Sequence, residues 1–570
     1  MPRTLRLTVV LALLALLPTC TLADAPLSHR WLFVMRSMRT QEEVERTIAL
    51  FPRAAAAGYN AVVLSDSALL TLYRAEPSYL DNVRRVQQAA HANGLDLIPC
   101  VMHVGYGGAV LDYDPNLAEG FPVKEALFVA HGREAKLTAD PPVSLRGGGF
   151  ERAEENRFEG WEMQDSIGTG TFADPEVKHG GRMSARMENI GQAEPRWGHS
   201  RFMQKVKVHP FGQYHLSAWV KTQDFEATDT ARLLVLAPIE KEKDIGDLAV
   251  RVQRTQDWTR YDLLFNSLGY DEVRIYLGCW GGKGGRIWWD DVTLEEVGLL
   301  NVLRRQGCPA SVRGDDGTVY EEGRDFEPLR DPQLAAYPDY HEPLPLRLTS
   351  GSRIPDGARL RVSYYHPLAT PSDQVMFCLS DPKVYDILRD QVQRVNELLH
   401  PKVFFMQHDE IRIANWDQAC QGRNLTPGQM LADNVRRCVQ IIREVSPDAD
   451  IWVWSDMFDP MHNAVGDYYA VNGSWAGSWE GLEPSVGIVN WYGQLKGKNA
   501  RFFSDRGHRQ LLAGYYDGDE DGEGIAEWLK ATEGIRGLVG AMYTTWQDRY
   551  QALEPWAKNA WGDSLAGSER

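Results

Sequence analysis

The segment Lys402-Val-Phe-Phe-Met-Gln-His-Asp-Glu-Ile-Arg412 decides how the rest of the chain is interpreted. Val403 to Met406 form an uninterrupted apolar run, which is typical of a strand buried on both faces in a parallel sheet. The run ends at four polar residues, of which the last two are Asp409 and Glu410. Adjacent carboxylates disfavour each other's ionisation, so we expect one pKa of the pair to be raised, as general acid catalysis requires. The alternative is a solvated acidic loop after a strand.

Strand and helix patterns alternate on both sides of this segment and predict a barrel. Repeated strand–helix units imply a parallel sheet, and eight such strands are the number in a TIM barrel. Asp381-Pro382 and Thr426-Pro427 each place a capping side chain before a proline, which indicates the start of a helix. The predicted strands are 31–35, 60–64, 95–104, 403–406, 451–454, 487–491, 510–515 and 538–544.

The barrel pattern is interrupted after its third strand. Gly147-Gly-Gly-Phe150 opens a region of short alternating segments, such as Arg274-Ile-Tyr-Leu277, that are typical of an antiparallel sandwich. We therefore predict an α/β fold: a (β/α)8 TIM barrel with an inserted jelly-roll-like β-sandwich and a small β appendage. The predicted limits are 1–25 for a signal peptide, 26–147 and 369–570 for the two parts of the barrel, 148–298 for the sandwich and 299–368 for the appendage.

The insert carries segments that resemble a known class of domain. His179-Gly-Gly-Arg-Met-Ser-Ala-Arg186 and Trp288-Trp-Asp-Asp-Val292 are similar to parts of the jelly-roll carbohydrate-binding modules of secreted glycosidases. The resemblance implies polysaccharide binding through the insert, with Trp161, Trp197 and Trp280 as candidates for stacking on sugar rings. The alternative for each tryptophan is a place in the sandwich core.

Composition excludes some partners. The net charge of −17 argues against a nucleic-acid partner, which would select a basic face. The chain contains 18 tryptophans, which suit stacking on sugars as well as filling cores.

The first residues have the order of an export signal. Arg3 and Arg6 precede an apolar run at 7–17, and Thr21-Leu-Ala23 offers a cleavage site with small residues. The run is too short to cross a bilayer, and we find no later transmembrane segment. We expect a secreted or periplasmic protein. Lipid anchoring at Cys20 is the weaker alternative, because the two residues before it fit that signal poorly.

The six remaining cysteines are Cys100, Cys279, Cys308, Cys378, Cys420 and Cys438. Export permits disulfides, but the spacing is irregular and contains no C-x-x-C. We therefore favour scattered buried thiols over a zinc cluster, and we predict neither a metal nor a cofactor.

The residues that end the later strands are aromatic and acidic. If the barrel is correct, these side chains converge on one pocket, since catalytic groups of such barrels lie at the C-terminal ends of the strands. Apolar faces with a few carboxylates suit a pyranose ring. These strand ends are Asp409-Glu410, Trp454-Ser-Asp456, Trp491-Tyr492, Tyr515-Tyr-Asp517 and Trp546-Gln-Asp548.

This pattern resembles the family 20 glycoside hydrolases, the β-N-acetylhexosaminidases. In that family the fourth strand ends in an adjacent Asp-Glu pair, as Asp409-Glu410 does here. Tryptophans follow its strands five, six and eight, and Trp454, Trp491 and Trp546 match them. The resemblance covers residues 29–105 and 381–550.

Two further motifs match, and two positions depart. The family's Tyr-x-Asp and Trp-x-acid motifs correspond to Tyr515-Tyr-Asp517 and Trp546-Gln-Asp548. Gln407 and His408 stand where glycines usually precede the acid pair, and Gly105 is followed by Tyr106 where the family often has histidine. The large insert is also atypical.

The resemblance implies a role for each matched residue. Glu410 acts as general acid and then base, while the 2-acetamido oxygen of the substrate attacks the anomeric carbon. Asp409 orients the acetamido N–H, and Tyr515 hydrogen-bonds the acetamido oxygen. The substrate-binding residues that we predict are Arg30, His408, Trp454, Asp456, Trp491, Asp517, Trp546 and Asp548. Of these, Arg30 is the best-placed counterpart of a family arginine near strand one.

Other functions remain open. A barrel glycosidase with a carboxylate nucleophile would use Glu520, and a non-catalytic glycan-binding protein would use the same pocket without turnover. Residues 517–522 match the start of a calcium loop, but its twelfth position is Trp528 rather than glutamate. The sugar, the polymer, exo or endo action and the oligomeric state are not determined by these patterns.

The export signal makes the first testable prediction. Natively expressed protein should begin near Asp24, because the signal peptide is removed at the small-residue site. Mass spectrometry of the secreted chain measures its N-terminus, and an intact Met1 in secreted material would contradict the prediction.

Overall fold

The computed structural model describes residues 27–238, 243–370, 374–514 and 516–562. Eight parallel strands, called barrel strands 1 to 8 in chain order, close into a barrel in which each pairs with its neighbours in that order. The predicted set of eight parallel strands is confirmed. They are His29–Met35, Ala61–Ser65, Asp96–Val101, Val403–Met406, Asp450–Trp454, Gly487–Asn490, Gln510–Leu512 and Leu538–Tyr543.

The barrel strands are apolar because both of their faces are buried. Alternate residues such as Phe33, Phe405 and Trp452 fill the interior of the barrel. The residues between them, such as Phe404 and Met406, belong to the core that the strands share with the surrounding helices. This alternation of side chains decides which residues beyond each strand can reach the cavity.

Helices surround the barrel and begin at the predicted caps. The Asp381 side chain accepts from the backbone N–H of Lys383, and Thr426 forms a capping box with Gln429. None of the helices in the described ranges is long and apolar enough to cross a membrane. The α-helices are Gln41–Ile48, Phe51–Ala56, Pro77–Ala92, Gly108–Leu111, Ile190–Ala193, Pro382–Leu399, Gln418–Gln421, Pro427–Val445, Lys496–Ser504, Gly524–Ala531 and Leu553–Trp561. The 3-10 helices include Ser67–Arg74, Pro115–Leu117, Asp456–Phe458, Ser478–Gly481 and Gly493–Leu495.

Two five-stranded antiparallel sheets form the predicted β-sandwich. Their inward side chains, among them Tyr214 and Leu233, share one core. The first sheet contains, in spatial order, Gln256–Asn266, Gln213–Gln223, Arg286–Val297, Ser184–Glu188 and Thr171–Asp174. The second contains Lys243–Ala249, Ala231–Ala237, Glu272–Trp280, His199–Lys207 and Met163–Gln164.

A further six-stranded antiparallel sheet corrects the expected course of residues 121–137. We assigned them to the first part of the barrel, but Phe121–His131 pairs with Arg359–His366 of the appendage. The pairing joins segments more than 200 residues apart, which local patterns do not reveal. The sheet contains, in spatial order, Val319–Tyr320, Ser311–Gly314, Arg359–His366, Phe121–His131, Glu134–Leu137 and Leu346–Arg347. Short two-stranded pairs form between Ala153–Glu154 and Arg157–Phe158, Ala369–Thr370 and Gln374–Val375, and Ile413–Ala414 and Ala470–Val471.

The three candidate tryptophans of the sandwich differ in position. Trp161 is buried and stacks on Phe150 at 5.5 Å between ring centroids, so it belongs to the core. Trp197 is 59% exposed, and the Arg196 guanidinium lies over its ring. Trp280 is partly buried beside Arg201. Of the three, Trp197 has the exposure that stacking on a glycan requires.

The sandwich contacts the barrel through its edge strand Lys243–Ala249. The Lys243 ammonium donates to the backbone carbonyl of Val471, at 3.3 Å. Asp244 and Gly246 of this strand line a small cavity together with Tyr469 of the barrel. The insert is therefore packed against a barrel loop in addition to its covalent connections.

A substitution at Gly487 in barrel strand 6 tests how tightly the barrel core is packed. A Cβ at this position would lie 2.3 Å from the buried ring of Trp452. We expect Gly487→Ala to lower the free energy of unfolding by about 1–3 kcal/mol, the usual cost of overpacking. Gly493→Ala is the matched control, since nothing lies within 4 Å of the added carbon. Equal midpoints for the two variants in thermal denaturation would contradict this packing.

Candidate active site

The end of barrel strand 4 directs alternate residues to opposite sides. Gln407 and Asp409 line a cavity at the C-terminal end of the barrel. His408 between them is fully buried on the other side, where its Nε2 lies 3.1 Å from Oδ1 of Asn434 in helix Pro427–Val445. Burial lowers the pKa of His408 to about 3. The assignment of His408 to substrate binding is therefore wrong, because side chains alternate along a strand.

A left-handed turn at Glu410 breaks this alternation. Glu410 has φ of 49°, and its side chain lines the same cavity as Asp409. The Asp456 carboxylate accepts the backbone N–H of Glu410, at 2.9 Å, and also an amide N–H of Asn463. Asp456 is fully buried and is absent from the cavity lining, so it holds the turn instead of contacting substrate as we expected.

The backbone of the acid pair is packed against the loop after barrel strand 3. A Cβ at Gly105 would lie 1.7 Å from the backbone oxygen of Asp409. Only glycine permits this approach, because every other residue would place a carbon inside that oxygen's radius. The next residue, Tyr106, donates its hydroxyl to Oε2 of Glu410 at 2.5 Å.

Three carboxyl groups form one electrostatic cluster. Burial and the charges of Asp456 and Glu410 raise the pKa of Asp409 well above its usual range. Burial and the charge of Glu410 raise the pKa of Asp456 to about 7, although hydrogen bonds to its carboxylate act in the opposite direction. The Arg412 guanidinium lies 3.1 Å from the Glu410 carboxylate. The cluster therefore holds at least one proton near neutral pH, on the Asp409 and Asp456 side.

Three tryptophans form one wall of the cavity. Trp454, Trp491 and Trp546 follow barrel strands 5, 6 and 8, and all three line the space of about 860 Å³ that Asp409 and Glu410 also line. The ring centroids of Trp454 and Trp546 are 5.9 Å apart, and those of Trp491 and Trp546 are 6.5 Å apart. A cavity of this size, with an aromatic wall and polar side chains on its other sides, accommodates a sugar-sized ligand.

Arg30 lies at the wrong end of barrel strand 1. It follows the first residue of the strand, and its guanidinium donates to the backbone carbonyls of Gly58 and Leu27. Arg36 directly follows the last residue of that strand and lines the cavity. The predicted substrate-binding arginine is Arg30, but of these two arginines Arg36 is the one that lines the cavity.

Asp517 and Asp548, the acids after barrel strands 7 and 8, do not line the cavity but contact residues that do. Asp517 accepts the Thr545 hydroxyl at 2.5 Å and the backbone N–H of Trp546 at 2.7 Å, which holds the tryptophan loop. Asp548 forms ion pairs with Arg36, at 2.7 Å, and with Arg46. Tyr515, the third predicted catalytic residue, lies outside the described residues.

Several lining residues were not predicted as functional. Asp66 and His103 follow barrel strands 2 and 3, and the strand-end rule would have found them as it finds Arg36. Burial lowers the pKa of His103 to about 3, so its imidazole is neutral at neutral pH. Tyr337 comes from the appendage, and no local pattern indicated that it reaches the barrel. Other lining residues are Met35, Ser37, Ser65, Ser67, Tyr106 and Ala109.

The loop after barrel strand 7 does not favour either alternative that depends on it, the Glu520 nucleophile or the calcium loop. Glu520 is exposed and is absent from the cavity lining. The carboxylate of Asp519 accepts the backbone N–H groups of Glu523 and Gly524, near the start of the helix Gly524–Ala531. Asp517 is engaged with the Trp546 loop, so two acids of the partial calcium motif already have partners in the chain.

Comparison with known proteins does not assign a family. No protein-family model matches the chain, and no curated protein sequence matches it. Among solved structures, a rhamnosidase from Novosphingobium sp. PP1Y is 10% identical over 91% of this chain and 55% of its own, with a TM-score of 0.30. A family 16 carbohydrate-binding module is 20% identical over 24% of this chain and 90% of its own, with a TM-score of 0.19. The module TmCBM61, solved with β-1,4-galactotriose, is 16% identical over 27% of this chain and 97% of its own, with a TM-score of 0.20.

The raised pKa of Asp456 predicts a dependence of stability on pH. An aspartate has a pKa of about 3.9 in an unfolded chain, whereas that of folded Asp456 is about 7. Folding takes up a proton between these values, so this contribution to stability is present below about pH 4 and is lost as the pH rises to about 7. Asp456→Asn should reduce the fall by up to about 1.4 kcal/mol per pH unit.

Urea denaturation across this pH range measures the slope. The difference belongs to the coupled cluster, because removing one charge also changes the titration of Asp409. Glu520→Gln is the control, since its side chain is exposed. The same slope in Asp456→Asn and wild type would show that Asp456 is already ionised in the folded chain.

Proposed function

We propose that this chain is a glycoside hydrolase that acts on N-acetyl-β-hexosaminides. One observation carries the proposal: Asp409, Glu410 and the tryptophans after barrel strands 5, 6 and 8 line a single cavity. The aromatic faces provide stacking surfaces for a pyranose ring, and the carboxyl groups provide acid–base chemistry beside it.

The proposed reaction needs no nucleophile from the protein. Glu410 donates a proton to the glycosidic oxygen as the bond from that oxygen to the anomeric carbon breaks. The 2-acetamido oxygen of the substrate forms the new bond to the anomeric carbon, which gives an oxazolinium ion and the released alcohol. Water then attacks the anomeric carbon, and the bond from that carbon to the acetamido oxygen breaks. The Glu410 carboxylate takes a proton from the water, which restores the acid.

Contacts around the pair support distinct roles for the two acids. The Glu410 side chain is 28% exposed. Its carboxylate accepts the Tyr106 hydroxyl and forms an ion pair with the Arg412 guanidinium. Asp409 is the member with the raised pKa, and its Oδ1 is buried without a hydrogen-bond partner among the described residues. That oxygen is suited to receive the acetamido N–H once Asp409 is ionised, and in this proposal the proton that Asp409 gives up is transferred to Glu410, which then donates it to the glycosidic oxygen. In this proposal Tyr515 binds the acetamido oxygen, as the family resemblance implies.

The other polar groups of the cavity support recognition of sugar hydroxyls. Arg36 lies at the cavity wall and is oriented by Asp548. A paired guanidinium offers fixed N–H donors, which suits hydroxyl groups on a ring whose faces stack on tryptophan. We further propose that the protein is exported and that the sandwich binds polysaccharide at the exposed Trp197.

The test compares leaving groups in two variants. The wild type should hydrolyse an aryl N-acetyl-β-hexosaminide and act little on the matching aryl glucoside, which lacks the internal nucleophile. Glu410→Gln should reduce kcat by about 10²–10⁴-fold, the usual contribution of general acid–base catalysis. Its loss should shrink for a leaving group that needs no protonation. Asp409→Asn should be slow for every leaving group, because it acts on the acetamido side.

Three results would contradict the assignment. If the leaving-group dependence appears in Asp409→Asn instead, the two acids have exchanged roles. Equal rates on glucoside and acetamido substrates, with a glycosyl group trapped on Glu520, would establish a carboxylate nucleophile. Glu520→Gln should otherwise retain wild-type kcat. Glycan binding without turnover of any aryl glycoside would identify a non-catalytic protein.

A further inference from the structure

A second cluster of reactive side chains lies outside the cavity. Glu119, Cys378, Asp417 and Cys420 are all buried, and one ligand atom from each lies within 4.8 Å of all the others. Glu119 follows the 3-10 helix Pro115–Leu117, and Asp417 caps the short helix that contains Cys420. Three segments distant in the sequence therefore converge at this point. The expectation that the thiols are scattered is wrong for these two cysteines.

Three distances within the cluster lie within about 0.3 Å of the edges of a tetrahedral zinc site. The sulfur atoms of Cys378 and Cys420 are 3.5 Å apart. Cys420 Sγ lies 3.3 Å from Oε2 of Glu119, and Cys378 Sγ lies 3.6 Å from Oδ1 of Asp417. A tetrahedral zinc with bonds of about 2.3 Å to sulfur and about 2.0 Å to oxygen has edges of about 3.8 Å between sulfurs and about 3.5 Å between sulfur and oxygen.

The outer atoms of both carboxylates are held by other groups. Oε1 of Glu119 accepts the backbone N–H groups of Trp416 and Asp417, at 2.6 and 3.2 Å. Oδ2 of Asp417 pairs with the Arg305 guanidinium at 2.6 Å, and its Oδ1, which faces Cys378, also accepts the backbone N–H of Cys420 at 3.0 Å. Each carboxylate thus turns one oxygen toward the thiols while a donor orients the other. Metal-binding carboxylates are oriented by hydrogen bonds in the same way.

The charges of the cluster favour a cation. Two buried carboxyl groups face one guanidinium, Arg305. One guanidinium offsets only one of the two negative charges that the ionised carboxyl groups would carry, so the cluster lacks positive charge. A divalent cation would supply that charge and displace the thiol protons.

We propose that Glu119, Cys378, Asp417 and Cys420 form a structural zinc site. Two cysteine sulfurs and two carboxylates form a ligand set that suits Zn²⁺, and four protein ligands leave no position for a substrate. The site joins the connection after barrel strand 3, the segment before helix Pro382–Leu399 and the loop that follows Arg412. It therefore supports the segment that carries Glu410 without taking part in the reaction.

Metal analysis of the purified full chain tests the site independently of any enzymatic activity. We expect about one zinc per chain, and a chelator should lower the midpoint of thermal denaturation. Replacing zinc with Co²⁺ should produce thiolate-to-cobalt charge-transfer absorption and the visible bands of a tetrahedral ion. Cys378→Ser and Cys420→Ser should lose the metal. Cys438→Ser, which removes a buried thiol near Asn434, should retain it.

The wild type alone can overturn the proposal if the serine variants fail to fold. Zinc-free protein in which all six cysteines of the described residues, Cys378 and Cys420 included, react with a thiol reagent on unfolding would identify a hydrogen-bonded cluster without metal. A chain mass lower by two hydrogen atoms would identify a Cys378–Cys420 disulfide. Zinc that persists in both folded serine variants would place the metal elsewhere.

Discussion

The contact between Gly105 and the backbone oxygen of Asp409 is the constraint on which the cavity depends. It brings the loops after barrel strands 3 and 4 closer than any residue with a Cβ allows. A regular strand would then send successive side chains to opposite sides, with one acid in the cavity and the other among the helices. The left-handed conformation of Glu410 removes that conflict, because it redirects the chain within one residue. The hydrogen bond from the Glu410 N–H to Asp456 holds the conformation.

The same turn explains the unusual electrostatics. The group that accepts the Glu410 N–H is the carboxylate of Asp456, so a third acidic side chain enters a region that already has two. Burial prevents water from screening these charges, and the cluster responds by retaining protons. The left-handed turn at Glu410 and the raised pKa values of the acid cluster therefore have the same origin. A change in either one alters the other.

Local patterns were sufficient for the barrel and for most of its strand ends. Runs such as Val403–Met406 are buried on both faces, and that property is visible within a few residues. Local patterns do not by themselves say which end of a strand, or which of its faces, meets the cavity. Arg30 lies at the opposite end of its strand from the cavity, and His408 lies on the face turned away from it. Applying the strand-end rule with alternation would have corrected both. Three features depend on contacts between distant segments, so no local pattern predicts them. They are the pairing of Phe121–His131, the position of Tyr337 and the contact between Cys378 and Cys420.

Under the proposed function, the edge strand of the sandwich affects how a long glycan would reach the barrel. Lys243 donates to a backbone carbonyl of the barrel loop, and Asp244 and Gly246 of the same strand line a small cavity with Tyr469 of the barrel. A domain joined only by its two chain ends can swing, but a third point of attachment fixes its orientation. A polymer held on the sandwich would then be presented to the barrel at a constant offset, and the spacing between bound and cleaved units would be a property of the protein.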